Sequence, residues 1–337
     1  MDDLQHSQKG PWLSEVTEGQ IFIGFYLIRN PSLEPFKDPS RGKYLRFHLA
    51  DRSGVMEARI WENAEQNSPI VEEHRVFKVE AQAERFRNQL QARISRLRPA
   101  EPGEYDLSDL RPITKRNIEE MNIALDGVID SLENPHLKAI VEYFYLDDDF
   151  RAAYQEAPAA TRVHHAFIGG LLEHTFEVLE LAKVLIQLYP QMDRDMLIAG
   201  ILLHDIGKLS EFNWEMDIEY TDRGKLIGHV VIGSEMVAHA IEKIPNFPQH
   251  LALQLQHLIL AHHGRYEFGS PRRPKTLEAI ALHHLENLDA QVNRFASLIE
   301  EARRAGHDWT TYDSMLGRSL YASHDDGLSI EEYGWTD

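Results

Sequence analysis

Cysteine is absent from the 337 residues. That excludes disulfides, thiolate zinc sites and cysteine nucleophiles together, and it accords with a reducing, cytoplasmic location. No apolar run approaches the ~18 residues that a membrane span needs, so no membrane partner is expected. The opening Met1-Asp2-Asp3-Leu4-Gln5-His6 is acidic and polar with no apolar stretch behind it, so a secretory signal is not expected there. Positive charge is scarce: 35 Lys and Arg face 54 Asp and Glu, a net charge of −19. A uniformly acidic surface would repel phosphates and argue against nucleic acid.

The scarcity is uneven. Residues 1–100 hold 15 Lys and Arg against 14 Asp and Glu, whereas residues 101–337 hold 20 against 40. Within residues 75–98, Arg75, Lys78, Arg85, Arg87, Arg93, Arg96 and Arg98 outnumber Glu80 and Glu84, and Phe77 and Phe86 lie among them. Cations for phosphates and rings for bases are what a single-strand binder requires. A solvated strand face over core phenylalanines has the same composition, and both readings stay open.

The length suits two domains, and the 43% hydrophobic fraction supports packed cores. Residues 14–98 read as strands. Gln20–Ile28 is β-branched and aromatic, Tyr44–Leu49 and Val55–Trp61 alternate around a turn at Asp51-Arg52-Ser53-Gly54, and Val76–Ala81 and Gln89–Ile94 follow. Five short strands in under 90 residues predict a small barrel. Glu34–Gly42, with two prolines, reads as a mobile loop. Residues 99–113 read as a linker, and from 114 to 305 the period becomes helical. Residues 306–337 read as an acidic tail that packs weakly. The fold class is therefore multidomain α and β, a five-stranded β-barrel followed by an all-α body.

Twelve of the 18 histidines fall within residues 164–284, an excess that metal binding would explain. Five places stand out: His174 in Leu-Leu-Glu-His-Thr, His204-Asp205 before Ile-Gly-Lys, His229 after Gly228, His262-His263 before Gly264, and Asp289 in Asn-Leu-Asp. Apolar neighbours turn each one inward. Asp205 follows the apolar run Ala199–Leu203, where an ionised carboxylate needs a cation or hydrogen bonds. Seven nitrogen and oxygen donors exceed one tetrahedral ion and, with Asp205 shared, suit two divalent ions. Imidazole with carboxylate suits Mn²⁺, Fe²⁺ or Co²⁺ and does not suit Ca²⁺. His239, His250 and His257 read as structural. His164 and His165 either face the site or open a helix, and His283 and His284 lie outside the donor set.

This ordered set resembles the HD superfamily of metal-dependent phosphohydrolases. With Gly169–Thr175, His262-His263-Gly264, Gly269–Thr276 and Asn287–Ala290, it is similar to YhaM-type 3′–5′ exoribonucleases, which join an OB-fold domain to an HD domain. Gly42–Leu45 and Ala58–Trp61 resemble their OB strands. Leu285-Glu286 departs from the family's usual alanine and aspartate but keeps the charge. The resemblance implies an OB-like barrel over 14–98 and an HD-type helical domain over 114–305. It implies that His174, His204, Asp205 and Asp289 hold one ion and that His229, His262 and His263 hold the second, with Asp205 shared.

The implied activity is metal-dependent 3′–5′ exonucleolytic hydrolysis of single-stranded RNA, with Mn²⁺ the first choice of ion and nucleoside 5′-monophosphates as products. Lys208, one turn beyond His204, is assigned with Asp205 to the catalytic centre; a helix-end lysine opposing the dipole is its other reading. Tyr26, Phe47, Trp61, Phe77 and Phe86, with Arg85 and Arg87, are the barrel's candidate nucleic-acid residues, although strand alternation buries part of this set. Arg265, Arg272, Arg273 and Lys275 interrupt the acidic half beside the double histidine and are candidates for phosphates. Three alternatives remain: hydrolysis of cyclic or free nucleotides, a preference for single-stranded DNA, and a binding module with a decayed metal domain. Self-association is left open.

Overall fold

A computed structural model describes residues 9–86, 89–161 and 165–323. Alternation of apolar and polar residues builds its first half. On β2 (Lys43–Asp51) Leu45, Phe47 and Leu49 are buried, and on β3 (Gly54–Ile60) Met56, Ala58 and Ile60 are, while the residues between them face outward. β1 (Ile21–Pro35) pairs antiparallel with β2 and with β4 (Val76–Phe86), β5 (Gln89–Pro99) pairs antiparallel with β4, and β3 runs parallel to β5. The barrel closes in the order β1-β2-β3-β5-β4, the five-stranded OB-like arrangement the sequence predicts. Helix α1 (Ala64–Glu73) sits between β3 and β4 and adds Ala64 and Val71 to the barrel core.

Three of the rings expected to stack on bases belong to this interior. Tyr26, Phe47 and Phe77 are fully buried. Tyr26 opposes Phe77 across β1 and β4, and its hydroxyl donates to the Pro11 carbonyl at 2.7 Å. They are core residues, because a base could reach them only by displacing a close-packed interior. The loop expected at Glu34–Gly42 is also shorter than it reads. Ser32 to Pro35 pair with Arg46 to Lys43, leaving a 3₁₀ turn at Pro39–Arg41.

The segment after β5 is packed at both ends. Leu110 is buried against Phe25, Leu27, Ala50 and Val76 of the barrel, and Ile113 bridges to Ile168 of the helical half. Then follow α2 (Ile118–Asp130), α3 (Pro135–Tyr145), α4 (Asp148–Glu156), α5 (Gly170–Leu188), α6 (Arg194–Leu203), α7 (Lys208–Glu211), α8 (Asp222–Leu226), α9 (His229–Ile241), α10 (Gln249–Ala261) and α11 (Leu277–Arg304). Side-chain caps start several of them: Asn117, Asn134, Asp147, Asp193 and Thr276 each accept from backbone N–H groups of the first turn. From Met196 onward α6 is apolar and buried, and α5, α10 and α11 pack around it.

Between α7 and α8 a two-stranded ribbon, β6 (Phe212–Asn213) and β7 (Glu219–Tyr220), reaches toward the barrel. At its tip Met216 packs on the Phe25, Leu27 and Val76 cluster, and Asp217 pairs with Arg29 at 3.0 Å. Arg111 donates to the carbonyls of Trp214 and Glu215 at 2.8 and 3.2 Å. The stretch expected to pack weakly from 306 onward is pinned as far as it is described. Trp309 bridges to Tyr321, Asp313 pairs with Arg294, and Leu320 and Ala322 are buried.

Candidate metal centre

Asp205 lies at the middle of the helical body, just past the C-terminus of α6. Its two oxygens face different histidines. Oδ2 lies 3.7 Å from His174 Nε2 and 3.3 Å from His204 Nε2. Oδ1 lies 3.5 Å from His229 Nε2 and 3.6 Å from His262 Nε2. The Nε2 atoms of His174 and His204 are 3.3 Å apart. Two donors each ~2.0–2.2 Å from one ion, at right-angled to tetrahedral spacing, stand about 3.0–3.5 Å apart. His229, His262 and His263 form a second group of mutually close donor atoms.

The outward ring edges explain the inward ones. Nδ1 of His204 meets the Ile201 carbonyl at 2.7 Å, that of His262 meets the Ile259 carbonyl at 2.7 Å, and that of His263 meets the Phe268 carbonyl at 2.9 Å. Nδ1 of His229 lies 3.0 Å from Glu211 Oε1, and that of His174 lies 2.6 Å from Asp289 Oδ2. Every partner is an acceptor, so each Nδ1 carries a proton and each Nε2 is the ring atom turned to the centre, the orientation a metal ligand needs. Asp205 Oδ1, His229 Nε2 and His262 Nε2 are buried with no hydrogen-bond partner. Such orphaned atoms are costly in a core unless a cation satisfies them, so this donor set fits divalent metal ions.

Charge and burial agree with that fit. Burial pushes His174 and His263 down to about 4 and holds His262 well below the ordinary histidine value, so these rings are neutral at pH 7. Burial alone would raise Asp205, but the charges of His204 and Lys208 hold it well below the carboxylate range. Glu286 on α11 is pushed up to about 7, first by burial and then by the negative field of Asp205.

Backbone close approach sets the geometry. A Cβ on Gly207 would stand 2.1 Å from the His229 carbonyl oxygen, so only glycine lets the start of α9 lie against the turn that follows Asp205. A Cβ on Gly170 would stand 2.0 Å from the His165 carbonyl oxygen.

Lys208 is buried, with Nζ 2.5 Å from Asp205 Oδ2. Asp289 sits behind His174, and its Oδ2 also lies 3.1 Å from His165 Nε2, in a trio that shares His174 with the group of His174, His204 and Asp205. His165, left open in the sequence reading, is thus buried against the centre with a left-handed backbone (φ 53°), and Glu177 Oε2 lies 3.6 Å from its Nε2. Glu211 was missed altogether; its only sequence signal is that it falls seven residues after His204, on the side of Lys208.

The barrel carries an outward platform. Phe36 stacks on Trp61 with centroids 5.7 Å apart, Tyr44 lies 5.0 Å from Trp61, and the Arg59 guanidinium stands 5.5 Å from Trp61 and 5.3 Å from Phe86. Phe86 is 46% exposed. Phe36, Tyr44 and Arg59 were not singled out in the sequence. Arg85 is exposed and pairs with Glu18 at 3.0 Å, while Arg87 lies outside the described residues. None of Arg265, Arg272, Arg273 and Lys275 has an acidic side chain within 4.0 Å among the described residues; the four follow the double histidine in the chain.

Comparison with known proteins adds to this picture. The HD domain family model matches residues 171–291, a span that holds all seven expected donors. A 3′–5′ exoribonuclease YhaM of Bacillus licheniformis is 35% identical over 318 residues, covering 93% of this chain and 98% of that protein. The protein of the same name from Bacillus subtilis (strain 168) is 34% identical with the same coverage, and that of a Geobacillus species is 33% identical over 88% of this chain and 91% of its own length.

Proposed function

Since the chain belongs to the YhaM family of 3′–5′ exoribonucleases, we propose that it is a metal-dependent hydrolase that shortens single-stranded RNA from the 3′ end and releases nucleoside 5′-monophosphates. The observation that carries the reading is the bridging placement of Asp205, with two imidazole Nε2 atoms before each carboxylate oxygen and three buried donor atoms otherwise unpartnered.

In this reading His174, His204 and Asp205 hold one divalent ion, and His229, His262, His263 and Asp205 hold a second. Asp289 acts on the first ion through His174, fixing the ring by its Nδ1. Two divalent ions held by these residues would supply a water nucleophile at neutral pH and neutralise charge on the scissile phosphate. Imidazole with carboxylate donors favours a first-row transition ion, and Mn²⁺ is our choice. Glu211 holds the His229 ring by Nδ1 and its backbone by N–H, both through Oε1. Lys208 balances Asp205 and stands where its ammonium can also meet a phosphate oxygen.

The helical body over 114–305 is the hydrolytic unit and the barrel over 14–98 the strand-holding one, joined by 99–113. Trp61, Phe86, Phe36 and Tyr44 offer faces to bases, and Arg59 offers charge. The uncommitted cations of residues 265–275 take the phosphates next to the cut.

The test is incubation with Mn²⁺ and 5′-labelled single-stranded RNA whose 3′ end is free or blocked. Free-ended RNA should shorten stepwise while blocked RNA survives, and Asp205→Ala should abolish shortening with RNA binding retained. Equal loss of blocked RNA, or hydrolysis of cyclic nucleotides in place of RNA, would overturn the reading.

A further inference from the structure

The chain leaves the double histidine through a rigid loop. Gly264, with φ 73°, turns it sharply, and a Cβ there would run into the His283 ring at 2.3 Å. The residues that follow are tied down along their length. Ser270 is buried, and its hydroxyl donates to the Leu260 and Arg272 carbonyls at 3.1 and 2.6 Å. Arg272 N–H donates to the Leu260 carbonyl at 3.2 Å, and Lys275 N–H to His257 Nε2 at 2.9 Å. The Phe268 carbonyl accepts from His263 Nδ1, so the loop is fastened to a donor ring of the metal centre itself.

On this fixed backbone two rings are left in solvent. Tyr266 is 59% exposed and Phe268 58%. Each has a guanidinium beside it: Arg273 is 6.0 Å from the Tyr266 centroid and Arg265 is 5.8 Å from that of Phe268. Neither arginine has an acidic partner among the described residues. A rigid loop holding two exposed rings interleaved with free cations has the composition of a single-strand platform: flat faces for bases and charge for the linking phosphates. The surrounding half of the chain is strongly acidic, so this patch differs in sign from its neighbourhood.

We propose that Tyr266 and Phe268 form a base-stacking subsite that seats the 3′-terminal nucleotides of the substrate against the metal centre. The proposal rests on the exonuclease reading. The ligand class is a nucleobase carried on a phosphodiester chain, with no base identity read, because stacking is indifferent to the base edges. Phe268 then serves twice: its carbonyl orients His263 and its ring aligns the nucleotide about to be cut, so the loop registers phosphate and donor together.

The experiment measures kcat/KM for release of the 3′-terminal nucleotide by the full-length protein with Mn²⁺. The RNA carries either normal bases or abasic ribose at its last two positions. Tyr266→Ala and Phe268→Ala should each slow normal RNA by ~5- to 150-fold, the range for losing one base–aromatic stack. The unaltered protein should lose a comparable factor on the abasic ends, and the alanine variants should then lose little more. Tyr266→Phe and Phe268→Tyr, which keep the rings and the backbone, should keep the rate. Equal slowing of both RNAs by the alanine variants, indifference of the unaltered protein to missing bases, or a large loss in the ring-preserving variants would each overturn the subsite. An unaltered protein that shortens no RNA at all would overturn the exonuclease reading, and the subsite with it.

Discussion

Gly207→Ala isolates the backbone contact that places His229. Gly207 has φ −61° and ψ −21°, ordinary helical values that alanine adopts without strain. On backbone grounds alone the change would stabilise the protein by ~0.4–1 kcal/mol through the unfolded chain. The added Cβ, however, would stand 2.1 Å from the His229 carbonyl oxygen, 2.7 Å from Gly233 N and 2.9 Å from the His229 carbonyl carbon. These are backbone atoms and cannot rotate away. Ordinary contact begins near 3.4 Å, so the start of α9 must retreat by roughly 1.3 Å. Overpacking of this kind costs about 1–3 kcal/mol, which a folded variant survives. The site does not survive it, because metal–ligand distances hold to within ~0.2 Å. A misplacement of ~1 Å near the chemistry costs about 10²-fold in rate. Elemental analysis after Mn²⁺ loading should find two ions per chain in the unaltered protein and one in the variant, and RNA shortening should fall by ~10²-fold with only a modest loss of Tm. Two ions per chain and an unchanged rate in the variant would refute the reasoning.

Glu211→Gln keeps the shape but removes the charge that accepts from His229; Mn²⁺ affinity measured by titration should fall by ~10–100-fold. Glu286 titrates near 7 in the folded protein against an ordinary 4.5, so the folded state binds more protons between those values and loses stability as pH rises through them. Glu286→Gln should therefore raise the Tm of the metal-free protein increasingly from pH 4.5 to 7.5, and an equal effect at both ends would contradict the burial argument. Trp61→Ala should weaken single-stranded RNA binding by ~1–3 kcal/mol in a filter or anisotropy assay. Tyr26→Phe, which loses only an interior hydrogen bond, should lower stability by ~0.5–1.5 kcal/mol and leave RNA binding unchanged.

The candidate donors were legible as a group because each is a rare residue type embedded in apolar neighbours: His204-Asp205 follows Ala199–Leu203, and the long amphipathic helices bring such positions inward. What orients them was not legible. The partners of His204, His262 and His263 are the carbonyls of Ile201, Ile259 and Phe268, and a backbone carbonyl leaves no mark on a sequence. Tyr26, Phe47 and Phe77 were misplaced for a different reason. Alternation separates two faces of a strand, yet Phe47 and Tyr44 sit on opposite faces of β2, and only closure of the barrel decides which is inside. α1 escaped because Pro69 sits in its middle. Asp289 reads as a candidate donor because its type and order fit; that its Oδ2 meets His174 Nδ1 depends on how α11 lies against α5.

The ribbon that leaves Glu211 has a mechanical meaning. Its tip is clamped to the barrel by Met216 and the Asp217–Arg29 pair, and its root is the residue that steadies His229. Any swing of the barrel against the helical half would have to pull that clamp apart. On the proposed reading, a strand trimmed shorter than the distance between barrel and metal centre would lose the barrel's hold while its 3′ end could still reach the centre.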